Sequence, residues 1–295
     1  MVTTLGELYL RSREALLETE EPQMAGQMAR DLVSTLSGRT QEQFLVDRDR
    51  EAPEELVLQV LDGVDRLKRG EPLPYVLGEW TFYGLPMVVS PDVLIPRDDT
   101  CALAELAIHR GLFLEKDPRI LDLCCGSGCI GIAAAHEVED ARVLAVDLSD
   151  GALRLTRENA HRLGVSGRLL AMKADATMPP PGGVGPFDII VSNPPYITRS
   201  EMAQLDHSVA DFEPHEALYG GVDGLDFYRA ICENWGDTLA HGGILLFECG
   251  WKQADAVAEI LQKYGFSDVC IEKDDAGVPR IVIGRSPRED DDLTK

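Results

Sequence analysis

From about residue 97 onward, short apolar runs alternate with segments of helical spacing, and this alternation narrows the possible folds more than any other feature. Apolar runs occur at 119–123, 142–146, 168–172, 187–191 and 244–247, with helical periodicity between several of them, for instance over 153–163 and 254–264. Strands that read as continuously apolar and are joined by helices belong to a mostly parallel sheet covered on both faces. Two further runs, 269–271 and 280–283, are separated by little more than Asp274-Asp275-Ala276-Gly277. Such a connection is too short for a crossover and suits an antiparallel pair at one edge.

The first 75 residues have a different character and read as helices. Thr4, with Glu7 three residues on, fits a capping box. Met24, Met28, Leu32 and Leu36 recur every four residues, and Gly38 follows as a stop. Pro53 opens another helix that gathers Val57, Val60, Leu61, Val64 and Leu67 on one side, with Lys68 and Arg69 at its negative end and Gly70 after them. Residues 71–96 are rich in Pro, Gly and aromatics, with short strands expected at 81–82 and 87–89 around a turn at Gly84. The 295 residues thus divide into a helical domain over 1–75, a connecting β-hairpin over 76–96 and a main α/β domain over 97–286. A polar, acidic tail over 287–295 is expected to be disordered.

Charge and cysteine usage exclude several classes. Lys and Arg total 28 against 51 Asp and Glu, a formal charge of −23. A surface this acidic repels phosphate backbones, so stable nucleic-acid binding is not expected. No run of about 18 apolar residues occurs, and the N-terminus lacks a basic segment followed by an apolar one; the reading is a cytoplasmic protein without a membrane span. Seven scattered cysteines fit reduced thiols. The cluster Cys124, Cys125 and Cys129 has no second pair at metal-ligand spacing, so no metal is expected.

The chemistry-bearing residues follow the expected strands. Cys124-Cys125-Gly126-Ser127-Gly128 lies between the first strand and a helix, where small residues let backbone amides approach a ligand. Asp147 ends the next strand, placed to bond a ribose hydroxyl pair. Asp175, after the third strand, can meet an adenine amine or remain a solvated loop acid. NAD and S-adenosylmethionine both fit this much. The absence of a full GxGxxG and the sequence after the fourth strand favour S-adenosylmethionine. There Asn193-Pro194-Pro195-Tyr196 offers a side-chain carbonyl for an NH2 group, two prolines that stiffen the turn without adding donors, and a ring to stack on a planar group. Those are the needs of amide or exocyclic-amine methylation. His207 and His215 read as surface or loop residues.

With these motifs in order, the chain resembles the HemK-type protein glutamine methyltransferases that modify peptide chain release factors. The matching segments are LGEWTFYGLPMVVSPDVLIPR (77–97), ILDLCCGSGCIGIA (120–133), VDLS (146–149), FDIIVSNPPYI (187–197), EPHEALYGGVDGLDFYRAI (213–231) and GGILLFECGWKQ (242–253). The resemblance implies a Rossmann-like class I methyltransferase domain with a seven-stranded sheet, behind an N-terminal helical domain that docks the release factor. It implies that Cys124, Cys125, Gly126, Ser127, Gly128, Asp147, Asp175, Ala176 and Asn193 contact S-adenosylmethionine. It also implies that Asn193, Pro194, Pro195 and Tyr196 grip the glutamine of a Gly-Gly-Gln loop. Two departures stand out. The family carries glycine and threonine at Cys124 and Cys125, and proline and glutamate at Asp98 and Cys101. Rival readings are a glutamine methyltransferase for a ribosomal protein, a nucleic-acid amine methyltransferase, and a non-catalytic adenosyl-binding protein on the same fold.

Overall fold

The computed structural model describes residues 3–114 and 117–287. Its contacts gather into two compact units, Met1–Glu79 with Asp206–Phe212, and Trp80–Leu205 with Glu213–Lys295. The expected tail lies, from residue 288, outside the described residues.

The first unit opens with five helices: α1 (Leu5–Leu16), α2 (Pro22–Leu36), α3 (Gln41–Val46), α4 (Glu54–Lys68) and α5 (Leu73–Leu77). The Thr4 hydroxyl accepts from the Glu7 amide and the Glu7 carboxylate accepts from the Thr4 amide, which satisfies two orphan donors at the start of α1. Gly38 and Gly70 take left-handed backbone just beyond α2 and α4. The buried stripes match in part those the spacing predicts: Leu32, Val60, Val64 and Leu67 are buried, and Met28, Leu36 and Val57 pack against the same core. Met24 and Leu61 are exposed, whereas Ala25, Ala29, Leu32 and Val33 of α2 and Leu56, Val60, Gly63, Val64 and Leu67 of α4 face inward. Close approach is the reason: a Cβ on Gly63 would lie 2.8 Å from Leu32 Cδ1. Small residues such as Ala25, Ala29 and Gly63 therefore share the inward faces with the leucines and valines, and large apolar spacing alone does not mark them.

The second unit begins within the hairpin of β1 (Glu79–Phe82) and β2 (Leu85–Val88), followed by α6 (Asp99–Leu112). Strands and helices then alternate as β3 (Arg119–Leu123), α7 (Cys129–Glu137), β4 (Arg142–Asp147), α8 (Asp150–Arg162), β5 (Leu169–Lys173) and β6 (Phe187–Ser192). After the short helices α9 (Arg199–Met202) and α10 (His207–Ala210), the latter part of the first unit, come α11 (Asp226–Trp235), β7 (Leu239–Glu248), α12 (Ala254–Lys263), β8 (Ser267–Lys273) and β9 (Pro279–Arg285).

Seven strands form one sheet in the order β5-β4-β3-β6-β7-β9-β8. The first five are parallel, and β9 runs antiparallel to both β7 and β8. Successive residues of β3 enter opposite cores. Ile120 joins Leu103, Ala104 and Ala107 of α6 and Ile132 and Ala133 of α7, while Leu121 and Leu123 join Tyr228, Ile231 and Trp235 of α11 and Val257 and Leu261 of α12. Both faces are buried, which is why the strands read as unbroken apolar runs. From β3 the chain winds first to β4 and β5, then returns to lay β6 and β7 on the other side. The C-terminal ends of β3 and β6 thus flank the switch point where open α/β sheets hold ligands. Among the described residues, no helix is long and apolar enough to cross a membrane.

Candidate active site

The turn from β3 into α7 is built from left-handed residues. Cys124, Gly126 and Gly128 have φ of 59°, 54° and 80°. Cys124 therefore holds a conformation that a side chain disfavours, at the position where glycine was expected. A Cβ on Gly128 would come 2.8 Å from Thr156 Cγ2, so close packing of α8 requires glycine there. A Cβ on Gly126 would meet no protein atom within 4 Å; bare backbone faces open space at this point. Two residues of α8 hold the turn from behind. Thr156 Oγ1 donates to the Gly126 carbonyl at 3.0 Å, and Asn159 Nδ2 donates to the Ser127 carbonyl at 3.0 Å. Asn159 also bonds both backbone groups of Val88, tying β2 to the same turn.

Acids surround the turn. Asp147, at the end of β4, accepts the Gly126 amide on Oδ2 and the Ser149 amide on Oδ1, each at 2.9 Å. Burial raises its pKa, and these backbone bonds oppose the rise. Asp122 is 1% exposed and accepts the Gly131 amide on Oδ2, while among the described residues Oδ1 has no partner. Burial pushes its pKa up to about 7. Asp175 Oδ1 accepts both the amide and the hydroxyl of Thr177, and among the described residues Oδ2 accepts no hydrogen bond. Burial also pushes the Cys124 and Cys125 thiols up, so both are neutral.

Opposite the turn, Ser192 Oγ at the end of β6 donates to the Leu123 carbonyl at 2.7 Å, fixing the two strand ends together. Asn193 follows. Its Nδ2 donates to Thr100 Oγ1 at 3.2 Å, and among the described residues Oδ1 accepts no hydrogen bond. The Tyr196 carbonyl accepts from Gln253 Nε2 at 3.0 Å, and Gln253 Oε1 accepts the Gly250 amide at 2.9 Å. Burial pushes the Tyr196 hydroxyl to about 12, so it stays protonated. The 218–220 segment lies against this backbone: the Ile197 amide donates to the Leu218 carbonyl, and a Cβ on Gly220 would be 2.5 Å from the Pro195 carbonyl oxygen.

One cleft joins these parts. Of the residues the sequence nominates, Cys124, Cys125, Gly126, Ser127, Asp147, Asp175, Ala176, Asn193 and Pro195 line it. Gly128, Pro194 and Tyr196 are not on its wall: Gly128 caps α7, Pro194 is buried and Tyr196 is half-buried. Other walls come from 92–97 and 214–217, which in the sequence carry only the family resemblance. Glu213 joins these two segments. Its side chain is 1% exposed, pairs with the Arg97 guanidinium and accepts the Ile95 amide at 3.3 Å. His207 and His215 are exposed. Thr156, Asn159 and Glu213 escape a sequence reading because their partners lie about 30 to over 100 residues away.

A sheet in this order with a cleft at its switch point defines the class I methyltransferase fold, and residues 105–210 match the family model Methyltransferase small domain. Residues 8–78 match the model PrmC N-terminal domain. A release factor glutamine methyltransferase from Geobacter sulfurreducens is 41% identical over 222 residues, 75% of this chain and 76% of its own. Another from Neisseria gonorrhoeae is 38% identical over 258 residues, 87% and 92% of the two chains. The chain belongs to the release factor glutamine methyltransferase family. Its fold is shared more widely. The catalytic domain of human Mettl16, solved in complex with the MAT2A 3'UTR hairpin 6, is 15% identical with a TM-score of 0.55, covering 82% of this chain and 86% of that one. At that identity only the fold is in common.

Proposed function

We propose that the chain transfers a methyl group from S-adenosylmethionine to the side-chain amide nitrogen of the glutamine in the Gly-Gly-Gln motif of peptide chain release factors. The observation that carries this reading is the state of Asn193. Its NH2 is engaged by Thr100, which leaves Oδ1 as an acceptor on the wall of the cleft.

The cleft suits the cofactor chemically. The bare backbone at Gly126 and the α7 N-terminus accommodate a ligand at close range, with Ser127 and Gly128 in the same turn. Asp147 would hold the ribose hydroxyls with the lone pairs its backbone bonds leave free, and Asp175 Oδ2 would take the adenine amine beside the small Ala176. Cys124 and Cys125 contribute apolar wall and no charge. When bound, S-adenosylmethionine supplies a methyl group on a sulfonium, open to displacement by a nitrogen lone pair.

An amide nitrogen is a poor nucleophile because its lone pair is delocalised. Asn193 Oδ1, on the cleft wall, accepts one of its hydrogens and localises that pair, and Pro195 stiffens the turn. The Pro194 carbonyl and the Tyr196 ring, which are not on that wall, would reach the amide only with substrate seated. Positioning and fixed dipoles do the work. The N–H becomes acidic only as the C–N bond forms, so no histidine is required. The helical unit over residues 1–75 docks the release factor, the 76–96 hairpin leads into the catalytic domain over 97–286, and the protein works in the cytoplasm.

The test is incubation with labelled S-adenosylmethionine and purified release factor, with ribosomal proteins and DNA as competitors. Mass spectrometry is expected to find one methyl on the Gly-Gly-Gln glutamine. Asn193→Ala is expected to keep cofactor binding and lose roughly a hundredfold in turnover. Near-normal turnover in that variant would overturn the assignment.

A further inference from the structure

Glu248, the last residue of β7, keeps its carboxyl inside the protein at 2% exposure, and Oε2 makes no hydrogen bond among the described residues. In the parallel pairing of β6 with β7, Ser192 stands opposite Phe247. The next residues along, Asn193 and Glu248, therefore leave the two strands side by side. Thr100 and Asn193 lie near the carboxyl and favour its charged form, and Asn193 Nδ2 bonds Thr100 Oγ1 at 3.2 Å. The nearby guanidinium of Arg280 is already paired, with Asp99 at 2.9 Å and Asp274 at 2.8 Å. Burial dominates the environment of Glu248 and pushes its pKa up to about 7.

An incompletely paired carboxyl in such a place costs stability, and a neutral side chain of similar volume serves packing as well or better. Its placement beside Asn193 indicates a different use. An asparagine amide occupies nearly the same volume with oxygen and nitrogen exchanged. In the wrong orientation Asn193 would present its own NH2 to the substrate NH2. Two acceptors on one side remove the ambiguity, because they bond the nitrogen end and repel the oxygen end. The Thr100 hydroxyl can accept from Asn193 and donate its own proton to the carboxylate, so three side chains from α6, β6 and β7 lock one orientation.

We propose that Glu248 is a positioning residue for methyl transfer: together with Thr100 it holds the Asn193 side-chain NH2 and so turns Oδ1 toward the substrate amide. This rests on the reading of Asn193 given above.

Two variants, Glu248→Leu and Glu248→Gln, test it in the full chain, with kcat and KM for release factor, the Kd for S-adenosylmethionine and Tm all measured. The leucine variant removes the acceptor and is expected to lose at least about tenfold in kcat, with KM and Kd within about twofold and Tm unchanged or raised. Glutamine retains a carbonyl acceptor and is expected to recover part of the lost kcat. Full kcat in the leucine variant overturns the proposal and leaves the reading of the site intact. Loss of kcat in both variants in step with a lowered Tm also overturns it, because Glu248 is then structural. No glutamine methylation by the unaltered chain overturns the reading of the site and this proposal together.

Discussion

Cys124 shows how much one backbone angle decides. It sits at φ 59° in the turn that begins the cleft, with a thiol that burial keeps neutral. The left-handed region costs an ordinary side chain about 1 kcal/mol and a β-branched one more. Cys124→Gly is therefore expected to keep stability within about 1 kcal/mol and retain activity, since relief of strain offsets the looser unfolded chain. Cys124→Val is expected to lose about 2 kcal/mol or more in urea denaturation, with weaker cofactor binding. Equal stability for the two variants would show that the turn tolerates branching and that the angle is not what constrains this position. The residue type was visible in the sequence as a departure from the family pattern. Its angle followed only from the turn that Val146 and Cys125 build by backbone bonding.

At the scale of elements, the walls of the cleft are loops held by distant acids and amides. Glu213 binds both the Arg97 guanidinium and the Ile95 amide, joining the segment that follows β2 to the one that precedes α11. Glu213→Gln removes the ion pair and keeps a carbonyl acceptor for the Ile95 amide, whereas Glu213→Ala leaves that amide unsatisfied. The alanine variant is expected to lose about 2 to 3 kcal/mol by chemical denaturation, and calorimetric titration is expected to show weaker S-adenosylmethionine binding, with glutamine in between. Unchanged stability and affinity in both would mean that the two segments hold their places without this link. Local patterns served well where an element's neighbours lie in its own sequence, as with the Thr4 capping box or the edge pair β8 and β9. They served less well for α2 and α4, where small residues such as Gly63 also turn inward because the helices approach closely.

For the molecule as a whole, two buried acids set a pH dependence. Asp122 and Glu248 are both pushed up to about 7 by burial. An acid whose folded-state pKa is raised binds its proton more tightly when folded. Its contribution is thus fully present below the unfolded value near 4 and is lost as pH rises toward 7. Self-repulsion in a chain of formal charge −23 acts in the same direction. Folding stability from denaturation is expected to fall between pH 5 and 7.5, by on the order of 3 kcal/mol for each group at most; rising stability over that range would show that burial does not hold these carboxyls protonated. By itself, the sequence determined the layered α/β fold, the parallel strands with their antiparallel edge, and the order of the turn, acid and Asn-Pro-Pro-Tyr motifs. Each of these depends on local periodicity or on residues a few positions apart. Only the tertiary structure decided which helix faces point inward, which loops wall the cleft, and which way Asn193 turns. Those outcomes depend on side chains such as Thr100, Thr156, Asn159, Glu213 and Glu248, which packing brings to the site from far along the chain.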